Sequence, residues 1–182
     1  MMEIKVIEDF LFEKQLSDYL DYARQTDSWV KTQQNDVWSD RVIYHHTITQ
    51  FTEFHQFYLD KIKWKIILDL DLQQDIWPDY LGLVRWRVGD WQAPHADGQL
   101  PNGEKHPYFW RDFGCVWYLN DDYEGGEIYF PNQNIELKPK PNTLVFFPGT
   151  MEYLHGVRPV TNGVRYTLTS FWTYDETHSM IK

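Results

Sequence analysis

Cysteine is nearly missing from the chain, with Cys115 the only one, so no disulfide framework exists and a reducing compartment is the expectation. Long apolar runs are missing too. No stretch approaches the roughly 18 residues of a membrane span, and the opening MMEIKVIEDF lacks the apolar centre of a secretory signal. The sequence therefore predicts a cytoplasmic protein with no membrane partner. Positive charge is scarce: 17 basic against 27 acidic residues leave a net charge of −10, the wrong sign for a general binder of nucleic acid or anionic lipid. Repeats, low-complexity tracts and linkers are absent. Aromatic residues are plentiful, at 18% of 182 residues with nine Trp, enough for a packed core in a chain of one domain's length.

Residues 9–26 carry Phe12, Leu16, Tyr19, Leu20 and Ala23 at three- and four-residue intervals, the stripe of an amphipathic helix packed on a scaffold. Residues 31–47 show no sustained period and read as a loop with one edge strand. Residues 51–72 place Phe54, Phe57, Tyr58, Ile62, Ile66 and Leu70 on one helical face, although WKIIL also suits an extended segment. From about residue 81 the character changes to seven short alternating segments separated by Gly, Pro and Asn, the pattern of a sandwich, barrel or jelly roll. The expectation is one α+β domain over 1–182, helical to about 75 and a β core over about 81–175.

The segment APHADG sets His95 and Asp97 two residues apart after a predicted strand, so their side chains project to one side. His155 opens another strand 58 residues after Asp97. Two imidazoles and one carboxylate on one face of a metal leave other positions open, which suits non-heme Fe(II), though zinc takes such ligands as well. An H-x-D pair alone has many false positives. Arg165 adds weight. Ten residues after His155, it shares one face of an alternating strand with Thr167, Thr169 and Phe171. A guanidinium pointed into a barrel costs several kcal/mol unless an anion meets it. A dicarboxylate, one end on the metal and the other on Arg165, is such an anion, and Tyr118 can add a phenol hydrogen bond.

In VRWRVGDWQAPHADG, WYLNDDYEGGEIYFP, KPKPNTLVFFP and LHGVRPVTNGVRYTLTSFW, over about residues 81–174, the sequence resembles the Fe(II)- and 2-oxoglutarate-dependent oxygenases, in their prolyl 4-hydroxylase-like branch. The resemblance implies a double-stranded β-helix, or jelly-roll barrel, with N-terminal helices packed on its outer sheet. It implies His95, Asp97 and His155 as iron ligands. Arg165 then grips the distal carboxylate of 2-oxoglutarate, Tyr118 shares that contact, and Thr167 or Thr169 assists. Many relatives carry tyrosine where this chain has Trp86 and Gln92, so the hydrogen bonds made there by relatives are not carried over.

The implied activity is hydroxylation of an unactivated C–H bond with O2 as cosubstrate, release of succinate and CO2, and ascorbate as a reductant. The resemblance suggests a prolyl residue in a protein or peptide; a free amino acid or other small molecule is the alternative. Asp97 favours hydroxylation over the halogenation of relatives lacking this carboxylate. Nucleobase demethylases carry a second arginine six residues after the first, where this chain has Phe171. Of another class is a non-catalytic jelly-roll binding module. A zinc hydrolase leaves Arg165 unexplained and lacks a general-base Glu after the pair.

Loops 98–112 and 31–47 are lid candidates. Gly125-Gly126 reads as a tight bend, with room for the cosubstrate as the alternative, Cys115 as core, and His45, His46, His106 and His178 as surface or loop residues. Trp91, Trp110, Trp117 and Trp172 read as packing or a substrate wall.

Overall fold

The computed structural model describes residues 3–32, 36 and 38–181. In chain order these form β1 (Lys5–Ile7), α1 (Glu13–Gln25), β2 (Val42–Tyr44), α2 (Thr52–Asp69), β3 (Trp77–Trp86), β4 (Gln92–His95), β5 (Phe113–Tyr118) and β6 (Tyr123–Gly125). There follow β7 (Ile128–Phe130), β8 (Ile135–Leu137), β9 (Thr143–Pro148), β10 (His155–Val157), β11 (Val160–Gly163) and β12 (Arg165–Thr173). A six-stranded sheet runs β1-β9-β5-β12-β3-β2, a four-stranded sheet runs β4-β10-β7-β8, and β11 pairs with β6. Every ladder is antiparallel. This is the double-stranded β-helix, with two helices on the outer face of the larger sheet.

Alternation sorts the large sheet's side chains between two cores. Cys115 and Trp117 of β5, Leu144 and Phe146 of β9, and Leu168 and Trp172 of β12 pack with Tyr19 of α1 and Tyr58, Ile62 and Ile66 of α2. Val116, Tyr118, Val145 and Phe147 point the other way, toward Ile128 and Phe130 of the smaller sheet. Asn142 ties the two layers together. Its left-handed φ of 65° suits asparagine, and its buried amide bonds both backbone groups of Leu11 and accepts the Trp117 indole N–H.

The helix expected over 51–72 is α2, with WKIIL inside it. Other expectations are corrected. Phe12 is exposed because it caps α1 with extended backbone, off the buried stripe of Leu16, Tyr19 and Ala23. Phe57 lies with Trp64 and Leu68 on the outward face of α2. Seven strands were expected from about residue 81 and one edge strand before it, and the described residues contain twelve: the unforeseen β1, β4, β6 and β11 have three or four residues, too short for a periodic signal. Within 31–47, Val42–Tyr44 is indeed an edge strand, against β3, whereas residues 33–35 and 37 of that lid candidate lie outside the described residues. No helix among the described residues is long and apolar enough to cross a membrane.

His55 of α2, between the helices and the sheet, makes a 2.8 Å hydrogen bond with the Tyr19 hydroxyl. Burial, then the nearby His45, pushes its pKa down to about 4. The unfolded chain titrates near 6.5, so the unfolded state binds the extra proton first. Stability from this residue is whole above about pH 6.5 and is lost toward pH 4, with a slope of up to about 1.4 kcal/mol per pH unit. Urea unfolding at pH 7, 5.5 and 4.5 should show a shallower slope for His55→Gln than for the native chain; identical slopes would contradict this assignment.

Candidate metal and dicarboxylate site

Between the two sheets lies a cavity of about 720 Å³. His95 ends β4, His155 begins β10, and the ladder makes them direct partners, so pairing itself brings the imidazoles to a ring separation of 4.4 Å. Asp97 follows β4 and places Oδ1 3.6 Å from the Nε2 of each histidine. One ligand atom from each of the three lies within 4.8 Å of the others. Each Nδ1 meets a carbonyl oxygen two residues back, Ala93 at 3.0 Å and Tyr153 at 3.2 Å. A carbonyl only accepts, so each Nδ1 carries the proton and each Nε2 presents a lone pair.

The charge states of His155 and Asp97 suit a cation. Burial pushes His155 down to about 4, against the pull of Asp97, so it is neutral at pH 7. Burial opposes charge on Asp97, yet the neighbouring imidazoles outweigh it and keep the carboxyl below its ordinary range. Burial likewise opposes a proton on His95, and the hydrogen bond and charge of Asp97 overcome it and raise its pKa. Asp97 Oδ2 is enclosed with no hydrogen-bond partner. Gly114 of β5 allows this approach, since a Cβ there would stand 2.7 Å from Asp97 Oδ2 and from the Phe147 ring.

Arg165, directly opposite Trp86 on β3, is 2% exposed. It donates to the Tyr118 hydroxyl at 2.9 Å, and its guanidinium stands 4.8 Å from the Tyr118 ring and 5.3 Å from that of Trp86. Its Nε and one terminal nitrogen are buried without partners, as is the Thr167 hydroxyl one step along the same strand face. A fixed cation with unused donors and an unused hydroxyl fits a carboxylate. Farther out on that face, Thr169 and Phe171 line the cavity and are less buried. At the two positions singled out as departures from the family pattern, Trp86 presents a ring face to Arg165, and Gln92 brings its amide nitrogen 3.3 Å from His95 Nε2. The alternative reading of Gly126, room for a cosubstrate, meets other neighbours: a Cβ there would stand 3.1 Å from Val160, 3.2 Å from the Tyr123 ring and 3.3 Å from Arg165 Cδ.

The outer end of the cavity contains residues with no short-range signature. Asp79 of β3 accepts through Oδ2 from Arg111 Nε at 2.9 Å and from the Trp110 indole N–H at 3.0 Å, while its Oδ1 is buried without a partner. The Arg111 guanidinium lies 4.0 Å from the Tyr108 ring and 3.9 Å from that of Phe171. Loop 98–112 thus supplies one wall. His106, expected as an ordinary loop residue, also lines the cavity. Trp110 joins it there, whereas Trp117 and Trp172 are core and Trp91 is exposed. Cys115 is buried, and burial pushes its thiol up, as a core group requires.

The profile of the 2OG-Fe(II) oxygenase superfamily matches residues 81–173. The curated prolyl 3-hydroxylase 1 of Gallus gallus is 36% identical over 97 residues, 47% of this chain and 13% of that protein. The chain thus matches only a small part of that relative's length. Among solved structures, a viral collagen prolyl hydroxylase from Paramecium Bursaria Chlorella virus-1 aligns with a TM-score of 0.63 at 18% identity, over 95% of this chain and 96% of its own. A Trichoplax adhaerens prolyl hydroxylase in complex with a hypoxia inducible factor oxygen degradation domain peptide fragment aligns with a TM-score of 0.73 at 15% identity, over 98% and 87% respectively. At these identities the structural likeness speaks for the fold.

Arg165 supplies a direct test of these electrostatics. Replacing an uncompensated buried charge by an apolar side chain of similar length stabilises a fold. In metal-free, ligand-free protein, Arg165→Met should raise the free energy of unfolding in urea by about 1 kcal/mol or more. A loss of several kcal/mol would show that the charge already has its partner.

Proposed function

The chain belongs to the 2OG-Fe(II) oxygenase superfamily, and from that premise we propose that it hydroxylates a prolyl residue in a protein or peptide. His95, Asp97 and His155 are the residues that would hold Fe(II), and Arg165, Tyr118 and Thr167, with Thr169 beyond them, would hold the distal carboxylate of 2-oxoglutarate. When bound, Fe(II) and 2-oxoglutarate supply with O2 the oxidising power that places a hydroxyl on an unactivated C–H bond, releasing succinate and CO2. The observation that carries the reading is the buried guanidinium of Arg165, with donors unused, in the same cavity as the His-Asp-His cluster.

The chain's own residues bind, orient and exclude. Asp97 supplies negative charge, and the carbonyls behind His95 and His155 fix both rings with Nε2 inward. Arg165 is held by Tyr118 and Trp86, so little rotamer freedom remains to be lost when an anion arrives. Phe147 and Phe130 pack on the His155 ring at 4.3 and 5.9 Å and give it an apolar backing.

At the outer end, the unpartnered Oδ1 of Asp79 and the guanidinium of Arg111 offer an acceptor and donors, matching the N–H and C=O of an extended backbone. Tyr108 and Phe171, packed on the Arg111 guanidinium, add aromatic surface beside it against which a pyrrolidine can rest. The relatives' names point the same way, since prolyl hydroxylases recur and one neighbour binds a peptide fragment.

The test is incubation with Fe(II), 2-oxoglutarate, ascorbate and either proline-containing peptides or free proline, following oxygen incorporation by mass spectrometry and succinate release. Peptides should gain one oxygen per succinate, and Asp97→Ala should abolish the product. Arg165→Ala should raise the KM for 2-oxoglutarate by about 100-fold, the scale of a lost charge-assisted contact. Free proline reacting faster than any peptide would move the substrate to a small molecule. Folded protein that releases no succinate with any candidate would contradict the reading.

A further inference from the structure

Loop 98–112 is tied to the rest of the molecule at its outer end by a stack of rings. His178, in the short 3-10 turn Glu176–His178, lies flat on Trp110 with ring centroids 3.9 Å apart and planes 4° apart. This is the closest ring pair among the described residues. Phe109 meets the same imidazole edge-on at 6.0 Å. The turn is fixed independently of the stack: Asp175 accepts from the Thr177 amide and hydroxyl, and the Met180 N–H donates to the Pro78 carbonyl at 2.8 Å. Pro78 adjoins Asp79, the acceptor for both Trp110 and Arg111. Three distant segments, the start of β3, the end of the loop and residues 175–180, therefore meet at Asp79 and Trp110.

Trp110 lines the cavity and His178 does not, so the imidazole backs the indole from outside. The deep end has different supports. Arg165, Thr167 and Tyr118 are set by the β12 ladders with β3 and β5. Asp97 is followed at once by a loop start anchored to the β9 end, through Gly98 N–H to the Gly149 carbonyl and the Met151 N–H to Gln99 Oε1.

We propose that the 175–180 segment is a strap and that His178 is a positioning residue for the substrate end of the site. Through Trp110 it holds Arg111 and Tyr108 where they face the substrate, while the 2-oxoglutarate end at Arg165, Thr167 and Tyr118 is set by the β12 ladders without it. Its effect on substrate binding rests on the prolyl hydroxylase reading; its effect on the loop does not.

The experiment compares the native chain with His178→Ala and His178→Phe, the latter keeping a flat ring. Three quantities are read: amide hydrogen exchange over residues 99–111, 2-oxoglutarate affinity from thermal shift with Mn(II), and kcat and KM for a hydroxylated prolyl peptide. In His178→Ala the loop should exchange about tenfold faster, and His178→Phe should return it to within about twofold. The 2-oxoglutarate affinity should stay within about twofold in both, while the peptide KM rises about fivefold or more in His178→Ala with kcat nearly unchanged. Unchanged loop exchange in His178→Ala, failure of the phenylalanine to restore it, or parallel loss of 2-oxoglutarate affinity would overturn the strap. A native chain that hydroxylates no prolyl peptide, with loop exchange and its rescue as expected, would sink the substrate reading and leave the strap supported.

Discussion

Arg165 is a permanent charge enclosed between two β-sheets with no acidic partner among the described residues, and its surroundings are arranged to keep it there. Desolvating such a group costs several kcal/mol. Part is offset by the ring faces of Tyr118 and Trp86 and by the hydrogen bond to the Tyr118 hydroxyl. Gly126, with a left-handed φ of 69°, leaves the space its methylenes occupy. The unmet remainder is two nitrogens and the Thr167 hydroxyl, the groups that the proposed function assigns to a carboxylate. A site poised this way trades stability of the empty protein for affinity toward the anion.

That tension requires a rigid frame, and the large sheet supplies it. Its central strands β5, β9 and β12 are covered on one side by α1 and α2 and on the other by the smaller sheet. Strands buried on both faces have little freedom to relax toward a displaced side chain. The cluster of His95, Asp97 and His155 sits on the opposite wall, where short β4 and β10 pair through the two histidines themselves. Metal cluster and guanidinium are thus held by different sheets across one cavity. Loop 98–112 and residues 175–180, to which the proposal assigns the substrate end, hang from the same frame by Asp79 and a ring stack.

Much of this was legible in the sequence because it depends on period two. The alternation of VRYTLTSFWTY put Arg165, Thr167, Thr169 and Phe171 on one face, and the cavity takes all four; the other face enters the helix-side core. The spacing of His95 and Asp97 needed only local geometry. Legibility ended where contacts join residues far apart in the chain. Asp79 with Arg111, and Trp110 with His178, leave no local pattern, since a carboxylate at the start of one strand and an arginine at the end of a loop are each ordinary alone. The shortest strands failed for want of length. The outer face of α2 misled because Phe57, Trp64 and Leu68 are exposed while the inner face is equally apolar, leaving no contrast to read.

The central claim is that one cavity holds Fe(II) at His95, Asp97 and His155 and a dicarboxylate at Arg165. It is tested most directly by anaerobic titration of metal-free protein with Fe(II) and then 2-oxoglutarate, following the visible metal-to-ligand charge-transfer absorption beside Arg165→Ala and His155→Ala. The account predicts a saturable band in the native chain, a band requiring at least about tenfold more 2-oxoglutarate in Arg165→Ala, and none in His155→Ala. Correctly folded native protein that develops no band, or a band indifferent to Arg165, would contradict it.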